Sequence, residues 1–410
     1  MTTPTHLSPG TPVPAGADPR VAMFAGFALI LGGFGIGVAE FVTMGLLPQI
    51  AEGTGVDIPT AGHTISAYAV GVVVGAPVIA AWGARFPRRT VLVGLMAVFA
   101  LGNLLAALAP GYTTLLAARF LSGLPHGAFL GLAALVAISL APPGRSGRAV
   151  GTVMLGIPIA TVVGVPTATW VGQALGWRTA YVGVAVVGVL TAVLVRLWVP
   201  ETPGDREQSW RRELKAFASL QVWLTMAVGA IGFGGMFAMY SYIAPTVTEV
   251  TGLSQGWVPV FLFAFGVGSI AGTVIGGRMA DWSVLRSLVL SGSVMALLLL
   301  TFSVTSQWTV PALLTLFAVS AVTGTFVIGL QLRLMSVAGP ARTLGAAMNH
   351  SSLNAANALG AWLGGLVIAA GYGYTAPSIV GAALAAGGVL VLGVSLLVHV
   401  RQTRPRTVAA

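Results

Sequence analysis

The stretch GFGIGVAEFVTMGLLPQIA, residues 33–51, surrounds one carboxylate, Glu40, with glycines and large apolar side chains. No lysine or arginine occurs between Arg20 and Arg85. On a water-facing helix such a glutamate needs no explanation. In a membrane-spanning helix a charged side chain is costly and is a functional candidate by default. The environment of this stretch therefore decides both the fold class and the meaning of Glu40.

The composition places the stretch in a lipid bilayer. The chain has 410 residues, of which 56% are hydrophobic and 7% are charged, and its mean hydropathy is +0.92. Soluble domains carry about 25% charged residues. Strands of a membrane β-barrel would be about 10 residues long with alternating polarity, whereas a spanning helix needs about 20 apolar residues. We therefore predict an all-α integral membrane protein with twelve spans, numbered 1 to 12, at residues 21–47, 60–83, 90–109, 113–140, 148–172, 178–199, 220–244, 257–280, 287–305, 309–332, 343–369 and 374–398.

The basic residues predict the orientation of the chain. With twelve spans both termini lie on one side, and that side receives every lysine and arginine except Arg119, within span 4, and Arg178. Basic loops face the cytoplasm, so we expect both termini to be cytoplasmic. The net charge of +10 is then a signal of topology and not a nucleic-acid-binding surface. The chain has no cysteine, which excludes disulfides.

The two halves of the chain repeat each other weakly at an offset of 197 residues. One match means little in a glycine-rich chain, but five regions at one offset indicate a duplicated unit of six spans. The matching positions are Pro48 and Pro245, Gly75 and Gly272, Arg89 and Arg286, Gly127 and Gly324, and Gly176 and Gly373.

The repeat and the polar segments divide the chain into five parts. We predict two six-helix bundles, at residues 21–199 and 220–398, joined by a cytoplasmic linker at 200–219 that contains a short amphipathic helix. Residues 1–20 and 399–410 are predicted to be cytoplasmic tails, the first of them disordered.

Several motifs resemble those of the major facilitator superfamily, whose members are built from two such repeats. RFLSGLPHGAFLG (119–131) is similar to its span-4 motif, and GGRMADWSVLR (276–286) to its signature loop, with Asp281 at the acidic position. AEFVTMGLLP (39–48), NHSSLNAANALGAWLGG (349–365) and GWRTAY (176–181) resemble the twelve-span drug:proton antiporters, in particular the bacterial sugar-efflux and chloramphenicol-resistance-like branch. In the first-half signature loop, Ala84 stands where that family has aspartate.

This resemblance implies a location in a bacterial cell (inner) membrane. It also implies two pseudo-symmetric six-helix bundles, with spans 1 and 4 beside a central cavity. Glu40 and Arg119 lie roughly 10 Å and 9 Å from the outer ends of those spans, so opposite charges have similar depth. The pair is either a structural ion pair or a proton-coupling carboxylate with an arginine that tunes its charge. We favour coupling, because burial disfavours the charged form of a carboxylate and a nearby arginine favours it.

Polar side chains on spans 4, 7 and 11 are candidates for cargo binding. His126 either contacts cargo or relays protons, or it is a neutral histidine within the helix packing. His350, Asn354 and Asn357 lie on one face of span 11 and either line the cavity or join helices by hydrogen bonds. Tyr240 is a weaker candidate, because membrane tyrosines are often interfacial anchors.

A conformational gate is expected at the cytoplasmic ends of the spans. By pseudo-symmetry Asp281 could pair with Arg333, whereas Ala84 has no charge for the equivalent contact. Alternatively, Arg88 and Arg89 pair with carboxylates of the linker.

Other chemistries lack their sequence signals. The chain has no phosphate-binding loop with its lysine, no metal-ligand spacing and no arrangement that indicates a catalytic triad. We predict no enzymatic activity, no metal and no cofactor. The predicted function is proton-coupled efflux of a small neutral or lipophilic compound by a monomer, with protons and the bilayer as its other partners. Alternatives are a sugar or nucleoside exporter, an uptake symporter or facilitator, and a non-transporting membrane scaffold.

Overall fold

The computed structural model describes residues 18–83, 86–142, 146–201, 219–339 and 342–403. The predicted disordered tail up to residue 17, the linker helix within 202–218, Ala84 and residues 404–410 lie outside the described residues. Every regular element in the described ranges is helical. The first helix begins at Pro19, where the Asp18 side chain caps it by accepting a hydrogen bond from the Arg20 N–H.

The helices follow the predicted spans, although several are interrupted. Proline and glycine cause the interruptions, since proline has no N–H to donate and both residues weaken a helix interior. The first six spans comprise Pro19–Gly45 with Leu47–Thr54, Ile58–Gly83, Arg88–Leu108, Tyr112–Gly123 with His126–Leu140, Ser146–Met154 with Gly156–Ile159, Ala160–Gly164 and Val165–Leu175, and Trp177–Trp198. The remaining spans comprise Leu220–Gly232 with Gly234–Tyr240, Ile243–Pro245 and Thr246–Val250, then Gln255–Trp257, Val258–Thr305, Thr309–Val337, Arg342–Ala369 and Ala376–Thr403.

Eleven helical segments of the described chain are long and apolar enough to cross a membrane, and one of them is long enough to cross twice. This segment, Gln255–Thr305, has 51 residues, whereas one crossing needs about 20. Ser283 has an extended backbone (φ −170°, ψ 117°) inside it and separates two helices. The segment therefore contains spans 8 and 9, and the predicted twelve-helix fold is confirmed.

The duplicated architecture is visible in two close helix crossings. A Cβ atom on Gly75, in span 2, would collide with the carbonyl oxygen of Leu124 in span 4. At the offset of 197 residues, a Cβ atom on Gly272, in span 8, would collide with the carbonyl oxygen of Ala321 in span 10. Only glycine permits such an approach of two backbones. The same pair of helices therefore crosses in the same way in both halves. The limits 21–199 and 220–398 of the two bundles remain predictions.

The two halves meet at the end of the molecule opposite to Pro19. There the Gln49 side chain donates a hydrogen bond to the Gln255 side chain, with 2.9 Å between Nε2 and Oε1. The Ser66 hydroxyl donates to the Ala358 carbonyl oxygen of the other half at 3.1 Å. Tyr242, at the end of span 7, is fully buried at this junction. This conformation therefore holds the halves together at the predicted outer end.

Candidate functional site

Glu40 lies on span 1 at the junction of the two halves, with only 7% of its surface exposed. Asn357 of span 11 lies beside its carboxylate, and Arg119 of span 4 is the charged side chain that acts on it. The structural ion pair of Glu40 and Arg119, which was the alternative to coupling, is not formed in this conformation, since the one ion pair within 4.0 Å among the described residues joins Arg89 and Glu201. Glu40 is thus a buried carboxylate with a positive charge nearby but not in contact.

Arg119 is completely buried, and its guanidinium group lies between two tyrosines. The guanidinium carbon is 4.3 Å from the centre of the Tyr68 ring and 5.5 Å from that of Tyr181. Its Nε donates a long hydrogen bond, 3.4 Å, to the Thr64 carbonyl oxygen, and neither Nη atom has a hydrogen-bond partner. A desolvated cation–π contact is worth about 2 kcal/mol, less than the penalty of several kcal/mol for burying a charge. Arg119 therefore retains unused capacity to bind a negative or polar group.

Tyr181 connects this arginine to the helix of Glu40. Its hydroxyl is 2.8 Å from the Thr43 hydroxyl, and both side chains are buried. Thr43 follows Glu40 by three residues and so lies on the same face of span 1. The arrangement around Arg119 therefore involves spans 1, 2, 4 and 6.

His126 begins the second helix of span 4, after the interruption at Leu124 and Pro125. The sequence predicts span 4 as one helix at residues 113–140, and the structure places Arg119 and His126 on two consecutive helices of it, both buried. The His126 Nδ1 is 3.1 Å from the Tyr68 hydroxyl. His350 of span 11 lies close enough to act on His126 electrostatically. Spans 4 and 11 therefore bring their histidines together across the two halves.

The asparagines of span 11 face the same region. Asn354 donates a 3.0 Å hydrogen bond to the His350 carbonyl oxygen of its own helix. The Asn354 Oδ1 and both polar side-chain atoms of Asn357 are buried without a hydrogen-bond partner. Within the described residues neither amide joins span 11 to another helix by a hydrogen bond of normal geometry. Buried amide atoms without partners are costly, so the Asn354 Oδ1 is available to a molecule that enters the site, whereas the Asn357 amide lies beside the Glu40 carboxylate.

The other side of the region is aromatic. The rings of Tyr240 and Phe265 stack with their centres 3.9 Å apart, and Phe41 lies 6.4 Å from Phe237. Tyr240 is buried against Phe265 and not at a water interface. It therefore lies on an aromatic wall formed by spans 1, 7 and 8.

The aromatic residues Phe237 and Phe265 were not predicted as part of the site, although the internal repeat points to their positions. At the offset of 197 residues, Phe237 corresponds to Glu40, and Phe265 corresponds to Tyr68. Leu316 likewise stands at the position of Arg119. The first half therefore supplies the charges of this region, and the second half has apolar side chains at the equivalent positions. Tyr181 had a signal too, as the last residue of the quoted motif GWRTAY.

The predicted pair of Asp281 and Arg333 is not formed in this structure. Asp281 is exposed, whereas Arg333 is buried and points to span 7, with its Nη2 3.5 Å from the Gln221 Oε1. The alternative prediction for the first half matches the geometry for Arg89, which forms an ion pair with Glu201 at the start of the linker. Within the described residues Arg88 forms no such pair. Arg89 and Arg333 thus point to partners other than the acidic residue of the signature loop.

No group of His, Asp and Glu in the described ranges has the arrangement of a metal site. The polar cluster lies instead inside a bundle of membrane-spanning helices, at the interface of two related halves. Solute transporters place their binding sites at such an interface. The fold and the position of the site therefore define a membrane transporter.

Comparison with known proteins identifies the family. Residues 29–348 match the model of the Major Facilitator Superfamily. The chain therefore belongs to the major facilitator superfamily, and it is a membrane transporter and not an enzyme.

Individual relatives agree with this assignment. The chain is 39% identical to the inner membrane transport protein YdhP of Escherichia coli (strain K12), over 90% of this chain and 95% of the relative. It is 34% identical to the chloramphenicol resistance protein of Streptomyces lividans (88% and 92% covered) and 29% identical to the probable sugar efflux transporter of Helicobacter pylori strain P12 (85% and 89% covered). Its fold is similar to the inward-facing structure of a bacterial homolog of the lysosomal transporter Spinster, with a TM-score of 0.70, 15% identity, and 92% and 96% of the chains covered. The predicted resemblance to efflux-type transporters is confirmed.

Proposed function

We propose that this protein is a proton-coupled exporter of a small neutral or lipophilic organic compound. The observation that carries the proposal is Glu40, a buried carboxylate at the junction of the halves with an unpaired Arg119 nearby. The chain has ten acidic residues, and Glu40 is the one within a predicted span. The names of two relatives, a chloramphenicol resistance protein and a probable sugar efflux transporter, support the export direction.

Glu40 would carry the proton, because its environment exerts two opposite effects on its charge. Burial favours the neutral carboxyl group, and the neighbouring arginine favours the carboxylate. When the halves separate at the outer end, Glu40 meets the acidic side of the membrane and takes up a proton. When the cavity opens to the cytoplasm, cargo enters and the proton leaves. Export is then driven by protons that move inward.

The walls of the site indicate the chemistry of the cargo. The aromatic wall of Phe41, Phe237 and Tyr240 suits an apolar or aromatic body, and His126, His350, Asn354 and Asn357 offer neutral hydrogen-bonding groups. Among the described residues no charged side chain other than Arg119 acts on Glu40, which favours neutral cargo. The unpartnered Asn354 Oδ1 and the nearby Asn357 amide also support a second candidate, a sugar or nucleoside with several hydroxyl groups.

The orientation, membrane and oligomeric state belong to the same proposal. The distribution of lysine and arginine supports cytoplasmic termini, and the E. coli relative is an inner membrane protein by name. The predicted site is enclosed by spans of one chain, which supports a monomer as the functional unit.

The test measures transport in proteoliposomes of defined orientation with an imposed pH gradient. A panel of phenicol-like compounds, sugars and nucleosides identifies cargo, and a pH-sensitive dye measures cargo-evoked proton movement. We expect the wild type to exchange cargo for protons, and Glu40→Gln to insert normally but lose gradient-driven export. Undiminished gradient-driven export by Glu40→Gln would refute the coupling role. Movement of cargo and protons in the same direction would identify an uptake symporter instead.

A further inference from the structure

The contacts of Arg119 suggest a function for two side chains that the proposed mechanism does not use. Tyr68 and Tyr181 are both completely buried, and each presents its ring to the guanidinium group. They come from spans 2 and 6. The positive charge is therefore enclosed by aromatic rings, while the nearest carboxylate remains outside ion-pair distance.

We propose that Tyr68 and Tyr181 are positioning residues that hold Arg119 away from Glu40, so that Glu40 can release and bind a proton during transport. This inference rests on the proposed function. In a direct buried ion pair, an opposite charge at contact distance would keep the carboxylate ionised. Glu40 would then take up no proton near neutral pH, and the transport cycle would stop. Distance between the two charges is thus a requirement of coupling.

Three contacts fix the arginine on the side of span 2. Its Nε donates to the Thr64 carbonyl oxygen, and its face lies on the ring of Tyr68, one helical turn further along the same span. The hydroxyl of Tyr68 is itself held by His126 at 3.1 Å. Because spans 2 and 4 cross with their backbones in contact, Tyr68 has little freedom to move away.

Tyr181 closes the other side. Its ring is 5.5 Å from the guanidinium carbon, and its hydroxyl is fixed by Thr43 on the helix of Glu40. This hydrogen bond places the tyrosine between span 1 and Arg119. A movement of span 1 relative to span 6 would therefore change the distance between Glu40 and Arg119.

The other titratable groups around Glu40 are few. They include the buried tyrosines Tyr68, Tyr181 and Tyr240, and Arg119 is the one arginine or lysine that lies inside a predicted span and not near its end. His126 and His350 are two further titratable side chains at the site. The pH dependence is therefore measured both in the wild type and in a His126→Gln, His350→Gln background.

The experiment compares the pH midpoint of cargo-proton exchange in proteoliposomes for variants that keep or remove the ring. Tyr68→Leu frees Arg119 to approach Glu40, so we expect the midpoint to move to lower pH by about one unit or more. Tyr68→Phe keeps the ring, and its midpoint should stay within a few tenths of a unit of the wild type while KM rises through the lost contact with His126. Phe99→Leu, in an equally buried aromatic of the same half, is the control for lost packing and should not move the midpoint.

The outcomes separate this inference from the proposed function. A midpoint for Tyr68→Leu equal to that of the wild type would overturn the positioning role, provided that Glu40→Gln abolishes coupling in the same preparation. If the wild type itself shows no pH-dependent exchange, the proposed function fails first. If Tyr68→Leu does not accumulate in the membrane, Tyr181→Leu replaces it, with a shift in the same direction expected. A shift in the opposite direction would also overturn the inference.

Discussion

The side chain of Tyr242 fills a narrow space between the two halves. A substitution that narrows this space tests whether the outer end is closed. Its hydroxyl donates to the Ala361 carbonyl oxygen at 2.7 Å within the second half. A Cβ atom on Gly62, in the first half, would collide with that hydroxyl oxygen. Gly62→Ala therefore introduces a clash that exists when the halves meet here and disappears when they separate.

The size of the effect follows from the clash. Overpacking by a methyl group costs about 1–3 kcal/mol. The gain of about 1 kcal/mol from replacing a helical glycine by alanine applies to both conformations and cancels. The equilibrium should therefore shift towards the open outer end by about 5-fold to 150-fold. Tyr242→Phe removes the colliding oxygen, so the double variant should return most of the way to the parent.

The absence of native cysteines makes the assay simple. Gln49→Cys and Gln255→Cys place two thiols where the side chains now share a hydrogen bond across the halves, and a short bifunctional thiol reagent joins them when that end is closed. We expect Gly62→Ala to lower the cross-linking yield. Gly94→Ala, at a position with no neighbouring atom within 4 Å, should leave the yield unchanged. Equal yields in the parent and Gly62→Ala would refute the contact between Gly62 and Tyr242 as a feature of the closed state.

Three further predictions concern the site, the ion pair and the helix crossing. Arg119→Ala removes the positive charge beside the site, which favours the neutral carboxyl group, so the pH profile of transport should move to higher pH; an unchanged profile in an active variant would mean that the charge has no influence during transport. Glu201→Gln breaks the ion pair with Arg89, and because exposed pairs contribute about 0–1 kcal/mol, thermal unfolding in detergent should change by no more than a few degrees; a large loss of transport without a loss of stability would instead indicate a gate. Gly75→Ala brings a Cβ atom onto a neighbouring carbonyl oxygen and should destabilise the fold by about 1–3 kcal/mol, whereas Gly26→Ala, at an open position, should not; equal unfolding temperatures would contradict the crossing.

The fold was predictable because lipid imposes strong constraints on sequence. Each spanning helix needs about 20 apolar residues and must satisfy its own backbone, so hydropathy alone locates the spans. The duplication was visible at Gly75 and Gly272 because close backbone crossings admit no side chain. Hydropathy separates spans 8 and 9, but it does not predict the backbone geometry of the break between them at Ser283.

The site was predictable in its members but not in its contacts. Glu40 and Arg119 are identifiable from the sequence, because a charged side chain inside a membrane span is energetically costly and is therefore a functional candidate. Similar depth indicated that the two charges could interact, but depth says nothing about which way a long side chain points. In the structure the Arg119 guanidinium group lies against the Tyr68 ring, and one tyrosine in a span has no sequence signal for this contact. The predicted contact of Asp281 with Arg333 stays a prediction for other conformations, since in this structure Arg333 contacts Gln221 on another helix.

The inequality of the two halves has an electrical consequence. Phe237 and Leu316 occupy the second-half positions that correspond to Glu40 and Arg119, so in the proposed mechanism one intramembrane carboxylate would serve each cycle. An exchange of one proton for one neutral molecule moves one net positive charge inward per cycle. The membrane potential then adds to the pH gradient as a driving force, with about 2.3 kcal/mol per charge for every 100 mV. At about 1.4 kcal/mol per tenfold ratio, 100 mV alone sustains a cargo gradient of roughly fifty-fold, and a carrier of this design would generate current whenever it exports.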